Sequence, residues 1–238
     1  MSTLERERRD GVEIIRLDRP DARNAMDSAL LDELLAALSE LTGDAELRAL
    51  VLSTTSTQAL SAGADVREEL DAEGGVARME RFAEVYSALE AFPAPTVAVC
   101  VGNCVGAGAE VAAACDLRVA GDNLKLSWAG GRLGVPVGPA RLVPLVGLSR
   151  AKDLILTGRV VGAEEAERIG FANRTATADD AEAAAIELAT AASQGPPAAM
   201  RTLKGMFRDL ERTAARVELE NALLVDFQRH GAGLPRRS

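Results

Sequence analysis

The sequence predicts an α/β fold in which short strands alternate with helices, followed by a helical C-terminal region. In the first half of the chain, short apolar runs are separated by longer segments with helical periodicity. Fully apolar runs of this length are typical of parallel strands that are covered by helices. Beyond residue 150 the apolar residues recur with helical spacing, so this part is predicted to be all helical.

The first part of the chain is predicted to contain two strands, a helix and a polar loop. Residues 12–17 and 49–53 are short apolar runs and are interpreted as strands. Leucines at helical spacing predict a helix between them, which begins at Asp27 or Ser28 and ends near Leu41. A polar loop that ends in residues 61–65 follows the second strand.

The middle of the chain continues this alternation. A helix is predicted over residues 76–92, because Pro93 and Pro95 end it, and the charged segment 68–75 is predicted to be irregular. A glycine-rich turn at 106–108 leads into a short apolar helix that ends near Cys115. The strands predicted here are residues 96–101, 117–120 and 124–127.

The C-terminal part is predicted to be helical throughout and to belong to the same unit as the rest. The predicted helices are residues 150–157, 163–169, 179–194, 196–210 and 213–229. No long linker precedes them, so the chain is interpreted as a core of residues 1–192 with a helical region of residues 193–238. The segment 135–142, before the first of these helices, is predicted to be a loop.

Composition excludes several classes of function. The formal net charge of −9 argues against binding to nucleic acid or to an anionic membrane surface, and aromatic residues make up only 3% of the chain. No apolar run is long enough to span a bilayer, and the charged start does not resemble a secretory signal. Cys100, Cys104 and Cys115 have no zinc-ligand spacing. Reduced thiols, no metal site and a cytoplasmic location are therefore expected.

The start of the helix near residue 110 is the clearest candidate for a reaction centre. Gly106 and Gly108 allow another molecule to approach the free N–H groups at the helix start. Glu110 lies in the first turn of a helix that otherwise consists of small apolar residues. An ionisable group beside free N–H donors is suited to a reaction in which negative charge develops.

Four passages in register resemble the crotonase family, which is also called the enoyl-CoA hydratase/isomerase family. They are RPDARNAM at residues 19–26, SAGAD at 61–65, GAGAE with the following CDL at 106–117, and AKDLILTG with AEEA and Gly170 at 151–170. Their order and spacing match the family from about residue 10 to about residue 210. The resemblance implies a spiral of strand–strand–helix repeats, and a C-terminal region that assembles the chain into homotrimers or dimers of trimers.

The resemblance also implies an acyl-CoA thioester as the ligand, with no separate cofactor because CoA enters as part of the substrate. The family holds the thioester oxygen as an enolate in an oxyanion hole, whose two backbone N–H donors fall on Ala62 and Ala107. Such donors are worth on the order of 3 kcal/mol each. The CoA contacts implied by the resemblance are Ala64, Asp65 and Val66 for the adenine, Ala22 and Arg23 for the pantetheine and phosphates, Gly106 in the turn, and Lys204 for an adenosine phosphate.

The sequence departs from the family at the second catalytic carboxylate. Hydratases of the family use two glutamates, and Glu110 occupies the first position, whereas Gly130 occupies the second. Trp128 is interpreted as a wall of the acyl pocket, and Arg132 as a group that holds a carboxylated substrate or an anion over Gly130. The other candidates to replace the missing carboxylate are Asp65, Glu68 and Glu69, with the hydroxyl of Ser127 as a weaker one.

Three functions remain open on this basis. The first is an enoyl-CoA hydratase-type lyase in which Glu110 is the retained acid and base. The second is other enolate chemistry on acyl-CoA, namely decarboxylation, isomerisation or hydrolysis. The third is a catalytically weak subunit that binds acyl-CoA inside a larger assembly.

Overall fold

Two sheets form the frame of the computed structural model, which describes residues 2–234. The strands are β1 Leu4–Arg9, β2 Val12–Leu17, β3 Ala49–Thr54, β4 Ala59–Ser61, β5 Thr96–Cys100, β6 Asn103–Val105, β7 Leu117–Gly121, β8 Lys125–Ser127 and β9 Arg174–Ala176. The large sheet has the strand order β1-β2-β3-β5-β7-β9 and the small sheet the order β4-β6-β8. All neighbouring strands are parallel except β1 and β2, which are antiparallel.

The chain winds as a spiral of strand–strand–helix turns, which confirms the predicted architecture. Strands β3, β5 and β7 lie in the large sheet, and the strand that follows each of them lies in the small sheet. A helix then returns the chain to the next strand of the large sheet after β4 and β6. The helices are α1 Ser28–Thr42, α2 Ala72–Ala91, α3 Ala107–Ala114, α4 Pro139–Val146, α5 Leu148–Thr157, α6 Ala163–Arg168, α7 Ala181–Ala192, α8 Pro197–Leu210 and α9 Thr213–His230.

The large sheet is covered on both faces, which explains its apolar strands. On one face, Ala181, Ala185 and Ala189 of α7 pack against Val12, Ile14 and other residues of the sheet. On the other face, Ile15 and Leu17 belong to the main core, which also contains buried residues of α1, α2 and α3. Consecutive residues of β2 therefore face opposite layers, as the alternation of side chains along a strand requires.

Several elements differ from the sequence-based prediction, including the short strands β4 and β6, which it did not contain. The charged segment β1 is an edge strand, where ion pairs such as Arg6 with Glu13 at 2.8 Å replace apolar burial. Helix α2 begins inside the segment predicted to be irregular, because Asp71 caps it by accepting a hydrogen bond from the Gly74 N–H at 2.7 Å. Strand β9 interrupts the part of the chain predicted to be all helical. Helix α4 replaces a predicted loop, with Pro139 at its first position.

The C-terminal region is helical as far as the structure describes it. Helices α8 and α9 agree within one residue with the predicted segments 196–210 and 213–229. The boundary between a core of residues 1–192 and a helical region of residues 193–238 stays a prediction, and residues 235–238 lie outside the described part. Among residues 2–234, no helix combines the length and the apolar character needed to cross a membrane.

Candidate active site

Two glycines bring the loop 61–65 against the start of α3. A Cβ atom on Gly108 would lie 2.4 Å from the carbonyl oxygen of Ser61, and one on Gly63 would lie 2.9 Å from the carbonyl oxygen of Val105. Gly63 also has a φ of +101°, which favours glycine. The loop itself is fixed, because the Ser61 hydroxyl donates to the Asn24 carbonyl at 2.7 Å and accepts from the Gly63 N–H at 3.1 Å.

The backbone donors at this junction correct one sequence-based prediction. The N–H of Ala62, a predicted oxyanion donor, donates to the carbonyl of Arg23 at 2.9 Å and is therefore occupied. In the described part of the chain, the N–H groups of Ala64 and Ala107 have no acceptor. Ala64 is bridged to Met26 through its neighbours' backbone groups, which leaves its own N–H free. The free pair is thus Ala64 and Ala107.

An apolar cavity of about 210 Å³ lies in front of these N–H groups. Its wall consists mostly of small and branched apolar residues, with Tyr86 as the residue that carries a polar group. The lining residues are Ala62, Gly63, Ala64, Val66, Met79, Phe82, Tyr86, Val105, Gly106, Ala107, Ala129, Gly130, Leu133, Val135, Val137, Leu224 and Leu234. Six of the residues predicted for the site, Ala62, Ala64, Val66, Gly106, Ala107 and Gly130, therefore share one cavity.

Glu110 lies one helical turn beyond Ala107 and is completely buried. One carboxylate oxygen accepts a hydrogen bond from the Trp128 indole N–H at 2.6 Å, and the other accepts from the Arg141 guanidinium at 3.2 Å. Burial raises the pKa of Glu110 to about 7, against the opposing effect of Arg141. A carboxyl group with a pKa in this range is suited to accept and to donate a proton, although Glu110 is not among the residues that line the cavity.

Arg141 is the site residue that the sequence did not reveal. Its side chain is fully buried, and its guanidinium donates to Glu220 at 2.7 Å and to Asn221 at 2.9 Å, in addition to Glu110. It also lies over the ring of Tyr86, 4.6 Å from the centroid. The segment 135–142 is predicted to be a loop, where an exposed arginine is common. The one sequence feature that indicated burial is that Arg141 lies between apolar residues, in ARLV.

Gly130, the position at which the resemblance implies a second carboxylate, lies on the cavity wall, and within residues 2–234 no carboxylate lines this cavity. A Cβ atom on Gly130 would lie 3.3 Å from the Cβ atom of Val135, so the Val135 side chain borders this position closely. Trp128 binds Glu110 and does not line the cavity, which corrects its predicted role as a wall. Arg132 is exposed and donates to the Thr157 carbonyl at 2.7 Å, and its role in holding an anion over Gly130 stays a prediction.

The acidic residues suggested as replacements are engaged elsewhere or exposed. Asp65 is buried and accepts hydrogen bonds from the Arg19 guanidinium at 3.2 Å and from the Arg67 N–H at 3.1 Å. Glu68 accepts hydrogen bonds from the Ser28 N–H at 3.1 Å and from Arg78 at 3.0 Å, and Glu69 is exposed. The contacts of Asp65 and Glu68 stabilise the loop that borders the cavity. Glu110 therefore remains the candidate for acid–base catalysis.

The residues predicted to bind CoA lie in different environments. Ala22 ends a short 3-10 helix, and Arg23 follows it with an exposed side chain and a left-handed backbone. Val66 lines the cavity, whereas Asp65 uses its N–H, its carbonyl and its carboxylate within the chain. Lys204 is buried, pairs with Asp116 at 2.7 Å and donates to the Ala94 carbonyl at 3.0 Å. It ties α8 to the core in this structure, and its contact with an adenosine phosphate stays a prediction.

The described residues also contain no cluster of three or more side chains suited to hold a metal ion. The geometry of this region is therefore that of an apolar cavity with two free N–H donors at one end and a buried carboxylate behind the wall. Such an arrangement is suited to a carbonyl compound that acquires negative charge on its oxygen during a proton transfer.

Known proteins share this sequence and fold. Residues 7–232 match the family model described as enoyl-CoA hydratase/isomerase. A probable enoyl-CoA hydratase of Mycobacterium tuberculosis is 38% identical over 204 residues, which cover 84% of this chain and 78% of that protein.

Solved structures resemble the whole of the described fold. A crystal structure of an enoyl-CoA hydratase/isomerase from Xanthobacter autotrophicus Py2 has a TM-score of 0.88 at 26% identity and covers 99% of this chain and 90% of its own. A monofunctional enoyl CoA isomerase from M. smegmatis has a TM-score of 0.76 at 30% identity, with 89% of this chain and 95% of its own covered.

Proposed function

The chain belongs to the enoyl-CoA hydratase/isomerase family, and from this premise we propose that it hydrates short enoyl-CoA thioesters. The observation that carries the proposal is the pair of free N–H groups, on Ala64 and Ala107, at one end of an apolar cavity. Both groups bind the thioester oxygen, where negative charge develops in the transition state. Removal of one such donor costs about 3 kcal/mol.

Glu110 acts as both base and acid in this proposal. The ionised carboxylate removes a proton from water while the oxygen of that water bonds to the β-carbon. The electron pair of the double bond moves onto the thioester oxygen, where Ala64 and Ala107 stabilise the enolate. Glu110 then returns the proton to the α-carbon, so that one water is added and no proton is gained or lost. A pKa of about 7 supplies both forms of the carboxyl group at neutral pH.

Access to Glu110 requires one rearrangement. Both of its oxygens are occupied, by Trp128 and by Arg141, and the carboxylate has no exposed surface. The reacting water therefore takes the place of one of these donors.

A second candidate reaction is the isomerisation of an enoyl-CoA double bond. It is favoured by Gly130, because a single carboxylate is enough to remove a proton from one carbon and return it to another, without a second group to hold water. The fold is shared with a monofunctional enoyl CoA isomerase. Both reactions place negative charge on the same thioester oxygen and use the same donors. Hydration passes through a β-hydroxy enolate, whereas isomerisation passes through a dienolate and needs no water.

The size of the cavity supports a short acyl group. A volume of about 210 Å³ is below the roughly 300–1,000 Å³ of typical ligand pockets, and it excludes a long acyl chain unless the wall opens. As part of the proposal, the chain works as a homotrimer or a dimer of trimers in the cytoplasm, without nucleic acid or membrane partners.

Turnover of crotonyl-CoA in the presence and absence of the Glu110→Gln substitution tests the proposed function. The wild-type protein is expected to hydrate crotonyl-CoA, and Glu110→Gln to lower kcat at least about 100-fold while acyl-CoA still binds. Glu164→Gln, which changes an exposed glutamate on α6, is the matched control and should keep its rate.

Three outcomes would decide against hydration. Conversion of 3-enoyl-CoA without hydration of crotonyl-CoA would establish isomerisation instead. Acyl-CoA binding without turnover of either compound would indicate a catalytically weak subunit that only binds acyl-CoA. Undetectable acyl-CoA binding by calorimetry would reject an acyl-CoA ligand altogether.

A further inference from the structure

Four helices meet at the guanidinium of Arg141. The arginine belongs to α4, and its partners are Glu110 on α3, Glu220 and Asn221 on α9, and the ring of Tyr86 on α2. Its Nε atom lies 3.5 Å from Oε2 of Glu90 on α2, and within the described residues neither atom has a hydrogen-bond partner. One buried cation therefore connects the candidate acid–base residue with the C-terminal helix.

The partners of Arg141 are themselves fixed. The second oxygen of Glu220 accepts a hydrogen bond from the Ala140 N–H at 2.7 Å, at the start of α4. The amide of Asn221 donates to the Ser87 hydroxyl at 2.9 Å and to the Ala83 carbonyl at 3.1 Å, both on α2. Each partner is thus held from two sides, which leaves the guanidinium a single orientation.

We propose that Arg141 is the positioning residue that holds the Glu110 carboxylate beside the oxyanion donors, and that Glu220 and Asn221 of α9 hold Arg141 in turn. The geometry supports this role because Arg141 reaches Glu110 directly but does not line the cavity. A residue that affects the reaction only through Glu110 is expected to contact Glu110 and to lie outside the cavity wall. This inference rests on the proposed function, in which Glu110 transfers the proton.

The charges around Glu110 make the proposal measurable. The positive charge of Arg141 lowers the pKa of Glu110, and the negative charge of Glu220 raises it. The other titratable groups of the cluster are on α2: Glu90, whose pKa burial raises to about 7, and Tyr86, whose pKa burial raises well above its usual range. Loss of Arg141 should therefore raise the pKa of Glu110, and loss of the Glu220 charge should lower it.

Trp128 provides an optical signal for the protonation of Glu110. It is the one tryptophan of the sequence, and its indole N–H donates to the Glu110 carboxylate at 2.6 Å. Protonation of that carboxylate changes the charge next to the indole, so the fluorescence of Trp128 is expected to titrate with Glu110. The signal needs no substrate and no turnover.

The experiment is a pH titration of Trp128 fluorescence in the full chain. Arg141→Met should move the midpoint upward by about one pH unit or more, and Arg141→Lys, which keeps the charge, should restore part of the shift. Glu220→Gln should move the midpoint downward. Glu110→Gln should abolish the transition, and Glu90→Gln shows how much of the signal belongs to Glu90.

The matched control is Arg159→Met, which removes an ion-paired arginine that bonds Asp153 and Glu165 away from the cavity. It should leave the midpoint unchanged. Because Arg141 is buried, Arg141→Met risks unfolding, which circular dichroism would reveal. In that case Arg141→Lys and Glu220→Gln decide the question, since both keep hydrogen-bonding groups of similar size.

Midpoints that stay at the wild-type value in folded Arg141 and Glu220 variants would overturn the proposal, because a merely structural ion pair need not tune Glu110. The same variants also distinguish it from the proposed function. Opposite fluorescence shifts with no turnover of any enoyl-CoA would keep the positioning role and reject the hydratase. Hydration of enoyl-CoA together with unchanged fluorescence midpoints would keep the hydratase and reject the positioning role of Arg141.

Discussion

Ala107 matters through its backbone, because its N–H is the donor and its methyl group only borders the cavity. As the first residue of α3, it makes no intrahelical hydrogen bond through that N–H. Proline is well accepted at this helical position and lacks the N–H. One substitution can therefore delete the donor and keep the helix.

We predict that Ala107→Pro lowers kcat for enoyl-CoA hydration about 100-fold to 1,000-fold, because a single oxyanion donor is lost. Steady-state kinetics measures the loss, and the unfolding midpoint should change little. Ala107→Ser, which keeps the N–H, is the control. Equal activity of the proline and serine variants would show that this N–H does not bind the thioester oxygen.

Sequence reasoning identified the cavity residues but misplaced several contacts. The motif around residues 61–65 indicated the loop correctly, yet which N–H is free depends on the bonding of its neighbours, and Ala62 is bonded to Arg23. Arg141 was missed for a related reason. Its partners on α9 are 79 and 80 residues away along the chain, and no local pattern reports such a contact.

At the scale of elements, the approach of α3 to β4 determines where the two donors lie. Gly108 is in the first turn of α3, where a side chain would meet the backbone of Ser61 at 2.4 Å. A backbone oxygen cannot move aside as a flexible side chain does, so the helix itself would have to shift. Such a shift changes the position of Ala107 relative to Ala64.

We predict that Gly108→Ala destabilises the protein by about 1–3 kcal/mol, the usual cost of overpacking, and lowers kcat in the same variant. Urea unfolding and hydration kinetics measure the two effects. Gly162→Ala is the control, because a Cβ atom there has no neighbour within 4 Å and the residue precedes α6 at an ordinary φ of −88°. A Gly108→Ala protein of wild-type stability would contradict the close approach.

Elements with strong periodicity were predictable, and those defined by partners were not. The apolar strand β5 and the helix α8 follow directly from their patterns. Strand β1 is charged at every position after Leu4 and is a strand only because β2 lies beside it in antiparallel register. Strand β9 has three residues and forms only against β7, so its local sequence carries too little information.

At the scale of the molecule, α8 presents an apolar stripe to solvent. Its side chains Leu203, Met206, Phe207 and Leu210 recur at helical spacing, and Phe207 and Leu210 are 70% and 78% exposed. On its other side, Lys204 fixes the helix to the core through Asp116. A rigidly held helix with an exposed apolar stripe is typical of a contact between subunits.

We predict that the protein is a trimer or a dimer of trimers in solution and that Phe207→Glu with Leu210→Glu produces monomers. Size-exclusion chromatography with light scattering measures the mass. Ala29→Glu, at an exposed position at the start of α1, adds a negative charge elsewhere and should leave the assembly intact. A monomeric wild-type protein would contradict the prediction.

The link between Arg141 and α9 has a consequence for synthesis of the chain. Arg141 leaves the ribosome 79 residues before Glu220, which is a delay of about 4 to 16 seconds at ordinary rates of translation. During that time the spiral core exists without the carboxylate and the amide that hold the guanidinium. We therefore expect the nascent protein to be inactive until the last helix docks, however early its core is complete.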